Sequence, residues 1–108
     1  MAELIWTEPA LSDLDTIADY IALDKPEAAR LLVQRVFQHV EQLKEFPESG
    51  SRPQELPRSP YRQIVEAPCR VFYRCDGKRV WILYVMRGER LLRRGDLGKR
   101  DRLARRRT

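Results

Sequence analysis

Two apolar stripes of helical spacing, separated by only two or three residues, constrain this chain more than any other feature in it. Leu11, Leu14, Ile17, Ala18 and Ile21 recur with the period of one helix face. Ala29, Leu32, Val33, Val36, Phe37, Val40, Leu43 and Phe46 sustain the same period until Pro47 ends it. The start signals agree: Thr7 caps a first turn holding Glu8 and Pro9, and Asp24 to Glu27 has the form of a capping box with Pro26 inside it. So short a connection admits only an antiparallel helical hairpin, whose common apolar face must be covered by something else. Asp13, Asp15 and Asp19 fall off the first stripe and make its outer side acidic. His39 lies one step off the second stripe and reads as a surface or half-buried histidine.

The cover is a sheet. Leu4, Ile5 and Trp6 form one short β-prone run, and Tyr61 to Ala67, Arg70 to Cys75 and Arg79 to Met86 form three more, with Pro68 and Asp76-Gly77 as breaks. Between Pro47 and Pro60 the density of proline, glycine and serine forbids a regular element, so this is a surface loop in which Arg52 and Arg58 are noted. The order is β-α-α-β-β-β, an α+β fold in which an N-terminal strand and a helical hairpin pack on a small antiparallel sheet.

A two-residue turn at Asp76-Gly77 pairs Tyr73 with Val80 and Phe72 with Trp81, and alternation then sorts the side chains into two faces. Cys69, Val71, Tyr73, Val80, Ile82 and Tyr84 face the hairpin; Arg70, Phe72, Arg74, Arg79, Trp81 and Arg87 face away. Arginine interleaved with aromatics suits phosphate contact with base stacking, or a partner's acidic and apolar groups. The alternatives are that Phe72 and Trp81 are core residues beneath the C-terminal tail with the arginines a solvated rim, or that a three-residue turn with a bulge reshuffles the faces. In that tail Leu91, Leu92, Leu97 and Leu103 suit a short amphipathic helix or strand, although Gly95 and Gly98 obscure which.

At 108 residues the chain fits one domain, expected over 1–94, followed by a basic tail over 95–108. From Met1 to Met86 there are 11 Lys and Arg against 13 Asp and Glu, a net −2; from Arg87 to Thr108 there are 10 against 3, a net +7. The basic character therefore sits at the end, where it can track phosphates, grip an acidic protein or stay solvated. Cys69 and Cys75 on one strand stand about 20 Å apart, too far for a disulfide. With His39 the only histidine and no paired cysteine motif, no metal site and no cofactor are expected. No apolar run approaches a membrane span and the N-terminus lacks a signal-peptide pattern, so a cytoplasmic protein without membrane contact is expected.

Taken in order, Trp6-Thr7 with Ala10, Asp13-Leu14, Ile17, Tyr20-Ile21, Phe46-Pro47 through Gly50, Arg52-Pro53, Arg62, Arg70-Val71-Phe72-Tyr73 and Ile82 to Arg90 resemble the ParE branch of the ParE/RelE toxin superfamily. The resemblance covers most of the chain. It implies a type II toxin paired with a cognate ParD-like antitoxin in a heteromeric complex. ParE-like members poison DNA gyrase, stabilising cleaved DNA, whereas RelE-like members cut messenger RNA on the ribosome.

Cleavage by the RNA's own 2′-hydroxyl needs a base, an acid and cations. Arg70 and Arg90 fall where similar nucleases carry phosphate-binding arginines, but no histidine follows the last strand, and arginine is a poor base. Tyr73, Tyr84 and Glu89 are the remaining candidates. Gyrase inhibition without catalysis, touching DNA through gyrase, is the expected function; a RelE-like nuclease or a non-toxic antitoxin-binding module are the alternatives. The last is suggested by Arg87-Gly88-Glu89-Arg90, where ParE-like chains often show His-Gly-Arg-Arg. Target contacts are expected from Arg70, Arg74, Arg79, Trp81, Arg87, Arg90, Arg93 and Arg94. Antitoxin contacts are expected from Asp15, Arg35, Arg62 and Phe72, around a groove between the hairpin and the sheet. Leu14 and Phe37 are expected in the core.

Overall fold

The structure is a computed structural model that describes residues 1–106. Its elements are β1 (Glu3–Trp6), α1 (Glu8–Ala22), α2 (Pro26–Glu41), β2 (Tyr61–Glu66), β3 (Cys69–Cys75), β4 (Arg79–Arg87) and α3 (Asp96–Arg106). The last member of the terminal arginine run, Arg107, lies outside the described residues.

Thr7 caps α1 as its sequence suggests, accepting the Ala10 N–H at 3.4 Å, while its own hydroxyl donates to the Ile82 carbonyl at 2.7 Å. One side chain thus starts the helix and fastens it to the sheet. The second cap differs from expectation. Lys25 occupies the N-cap of α2 without a side-chain bond, and Glu27 pairs with Arg30 at 2.5 Å instead of reaching back toward Asp24. α2 also ends before Phe46, passing through a 3-10 turn at Gln42–Lys44 that leaves Phe46 exposed. Phe37, expected in the core, is half exposed against Trp6, with the rings 4.9 Å apart. The apolar stripe of α2 is wider than the sheet beneath it.

The four strands form one sheet in the order β1-β4-β3-β2. β2, β3 and β4 are antiparallel, and β1 joins the far side of β4 in parallel, Leu4 beside Val80 and Trp6 beside Ile82. On one face Leu14, Leu32, Val36 and Val40 pack on Val71, Tyr73 and Ile82. The other face carries a second core: Phe72, Trp81, Leu83 and Met86 lie beneath Leu92, Leu97 and Ala104. The tail is therefore a helix that closes a third layer. No helix among the described residues is long and apolar enough to cross a membrane.

The proline-rich loop is bound along the edge of β2. Ser51 and Gln63 exchange backbone hydrogen bonds at 3.0 and 2.7 Å, Arg52 holds the Ser59 carbonyl, and Arg62 donates to the Gly50 carbonyl at 2.8 Å. Gly50 allows this approach, since a Cβ there would meet the Gln63 carbonyl and the Tyr73 hydroxyl at 2.6 Å.

Candidate functional site

The β3-β4 ladder decides where each arginine goes. Asp76 N–H donates to the Arg79 carbonyl at 3.0 Å, so the two-residue loop is Gly77-Lys78, one position later than the sequence suggested, and Tyr73 pairs with Ile82. That shift keeps the faces intact near the turn. Between Phe72 and Tyr73 the register then slips, Phe72 pairing with Tyr84, so Leu83 is an extra residue. Such a bulge reverses the facing of everything beyond it. Tyr84 joins Phe72 on the α3 side, edge to face at 6.4 Å, rather than facing the hairpin. Arg87 pairs with Cys69 and moves to the hairpin side, its guanidinium 5.7 Å from the Tyr20 ring of α1.

A bulge also strands ladder groups, and two residues that sequence reasoning did not single out for a role satisfy them. The Asp13 carboxylate on α1 accepts the Val85 N–H at 3.0 Å. Arg100 on α3 donates to the Leu83 carbonyl at 3.0 Å, binds Asp13 at 2.5 and 3.1 Å, and stacks 3.7 Å over Tyr84. One carboxylate and one guanidinium join both helices to the irregular strand. An off-stripe acid in α1 and one arginine among many in the tail gave no signal of this.

Past β4 the segment 87–94 crosses the end of the sheet. Gly88 N–H donates to the Pro68 carbonyl at 2.7 Å, Leu92 N–H to Glu55 at 3.2 Å, and Arg93 N–H to Asp96 at 2.9 Å. With Leu92 buried, Arg90, Arg93 and Arg94 stand in solvent. A cleft of about 470 Å³ lies on the α1 side, lined by Asp13, Thr16, Ile17, Tyr20, Arg87 and Arg90. Another of about 460 Å³ lies on the loop side, lined by Gln54, Glu55, Gln63, Arg70, Arg90 and Leu91. Arg90 borders both.

In the second cleft Arg70 is already engaged. Its guanidinium donates to Glu55 at 2.9 and 2.8 Å and to Gln63 at 2.7 and 3.1 Å, and lies 4.8 Å from the Phe72 ring. The Arg70 hydrogen bonds, helped by backbone N–H groups including that of Leu92, hold the Glu55 carboxyl down to about 2 against the opposing effect of burial.

The expected open face of arginine and aromatic side chains does not exist as a surface. Phe72 is 0% and Trp81 4% exposed, because α3 covers them. Arg74, 6% exposed, donates to Asp101 at 2.8 Å and sits 5.8 Å from the Trp81 ring. Asp101, itself 4% exposed, also accepts from the Tyr61 hydroxyl at 3.2 Å and from Arg105. Arg79 remains at the surface, 3.9 Å from Glu3. Asp15 is exposed on α1, Arg35 bonds Glu66 at 3.3 Å, and Arg62 is half-buried. None of these three lines the cleft beside α1. His39 is half-buried 3.1 Å from Glu66.

Residues 4–92 match the family described as ParE toxin of the type II toxin-antitoxin system, parDE. Over 79 residues the chain is 37% identical to "Toxin RelE2" of Caulobacter vibrioides, covering 71% of this chain and 85% of that protein. The solved structure titled "Chromosomal ParDE TA system from P. aeruginosa" superposes with a TM-score of 0.70 at 30% identity, covering 82% of this chain and 98% of the other. The family match stops short of α3.

Proposed function

Because the chain belongs to the ParE family of type II toxin-antitoxin toxins, we propose that it arrests growth by binding DNA gyrase and holding cleaved DNA against resealing. In this reading it acts in the cytoplasm, and a ParD-like antitoxin neutralises it. The observation that carries the reading is a segment, 87–94, in which Arg90, Arg93 and Arg94 are exposed and the nearby carboxylates Glu55 and Glu89 are each paired with an arginine. Arg90, Arg93 and Arg94 would contact gyrase or its bound DNA, with Arg87 set back against α1.

Most of the bases that RNA cleavage could call on are compromised, Glu89 being the exposed exception. Glu55, held down to about 2, stays ionised at neutral pH and its oxygens are committed to Arg70 and Leu92. Tyr73 is buried, accepts the Gly50 N–H, and burial pushes its hydroxyl further up. Tyr84 lies under Arg100. His39 belongs to a different hollow, with Arg35 and Glu66. Glu89 is exposed, 2.7 Å from Arg87. The second reading, ribosome-dependent messenger cleavage, draws on the relative named RelE2 and on Arg70 and Arg90 sharing one cleft.

The cleft between α1 and the end of β4 suits the antitoxin. Ile17 and the exposed Tyr20 give it apolar area, and Arg87 and Arg90 give it charge, a match for an acidic, partly apolar segment that folds on binding. Purified protein added to a gyrase supercoiling reaction, beside a translation extract probed for messenger cleavage, tests the target. Accumulated cleaved plasmid with intact messenger supports gyrase. Cut messenger with normal supercoiling transfers the function to the second reading.

A further inference from the structure

α3 sorts its charges by side. Asp101 points inward to Arg74 and Tyr61, Asp96 turns back to the Arg93 N–H, and Arg100 is consumed by Asp13 and Tyr84. What remains outward is Lys99, Arg102 and Arg106, exposed at i, i+3 and i+7 on one stripe, with Arg93 and Arg94 just before the helix begins. None of these five forms an ion pair among the described residues. The acids hold the helix down and the bases are left to face out.

We propose that this stripe docks on the phosphate backbone of duplex DNA, extending the gyrase reading by naming DNA, not the enzyme, as what α3 touches. The stripe runs about 10 Å along the helix axis, against a ligand carrying about one negative charge every 1.7 Å. Unpaired strands need aromatic platforms for their bases, but Phe72, Trp81 and Tyr84 lie beneath α3. An acidic protein partner needs an apolar centre, and the stripe itself holds none: Leu103, the large exposed apolar residue of α3, lines a hollow with Trp6, Pro9 and Trp81 beside the stripe. Salt-dependent contact with a double-stranded backbone is the chemistry left.

The test uses the full chain, a labelled mixed-sequence DNA duplex and fluorescence anisotropy between about 50 and 200 mM salt, without gyrase. The triple change Lys99→Gln, Arg102→Gln, Arg106→Gln is expected to weaken binding roughly tenfold or more and to flatten the salt slope by about 0.9 per lost contact. A second triple with the same net charge, Lys25→Gln, Arg58→Gln, Lys78→Gln, removes exposed cations elsewhere and should leave binding nearly unchanged. Equal loss in both triples, no loss in either, or clear preference for double-stranded RNA or an acidic peptide overturns the proposal. DNA binding through the stripe with uninhibited supercoiling would instead overturn only the gyrase reading, so the two can fail separately.

Discussion

Asp101 shows how much a single residue can carry here. Buried and bonded to Arg74, Tyr61 and Arg105, it is the carboxylate that hydrogen-bonds the Arg74 guanidinium, with Asp76 a longer ion pair at 3.9 Å. Removing one member of such a pair leaves an uncompensated buried charge. Asp101→Ala is expected to cost about 3 kcal/mol in urea unfolding, and Arg74→Met in the same background should recover much of it. A loss below about 1 kcal/mol would mean that α3 is not seated as described. Glu55 gives a pH signature. Its folded pKa is depressed, so its contribution is complete above the ordinary carboxylate value of 4.5 and fades as pH falls toward about 2. The stability difference between wild type and Glu55→Gln should therefore be constant at neutral pH and shrink across that acid window. A difference that is flat through the window would rule out the Arg70 pairing as its source.

Among the elements, the helical hairpin was legible because its period runs for many turns, and errors arose where the pattern outran the surface it packs on. Phe37 continues the α2 stripe but meets only the end of β1 at Trp6, and Phe46, past the end of the helix, is exposed. β4 was harder to read. From Val80 to Met86 every residue is apolar, so no alternation marks a face, and that unbroken run was itself a sign that both sides of the strand are covered. With no polar residue to fix parity, the bulge at Leu83 left no trace, and the placements of Tyr84 and Arg87 followed the wrong register. In α3 the buried residues Leu97, Asp101 and Ala104 do follow a helical period, but a carboxylate at the centre of an inward stripe disguises it. The arginines of the candidate site were all visible in sequence, yet their sorting into buried and free was not, since the same side chain serves both ends. Leu97→Ala tests the docking of α3: with the side chain fully buried, a cost of about 2–5 kcal/mol is expected by chemical denaturation. A cost of a few tenths would mean the helix is loosely held.

At the scale of the whole molecule, charge is polarised along the chain: residues 1–86 carry a net −2 and residues 87–108 a net +7. Reversing two of the exposed arginines, Arg90→Glu with Arg93→Glu, is expected to abolish growth arrest on induction while leaving the unfolding midpoint unchanged. Retained arrest in a stable double variant would remove this segment from the target contact, and antitoxin affinity measured on the same protein tells whether the arginines serve that partner instead. Topology adds a matter of timing. β1 leaves the ribosome well before β4, its strand partner among the described residues, so its ladder hydrogen bonds wait for the segment 78–82. At roughly 5 to 20 residues per second, several seconds of synthesis separate the two. Throughout that interval the helical hairpin has no finished sheet to lie on, and the strand that completes it is the one that leads directly into the arginines. A nascent chain that stops short of β4 therefore lacks both the completed sheet and the arginines that follow it.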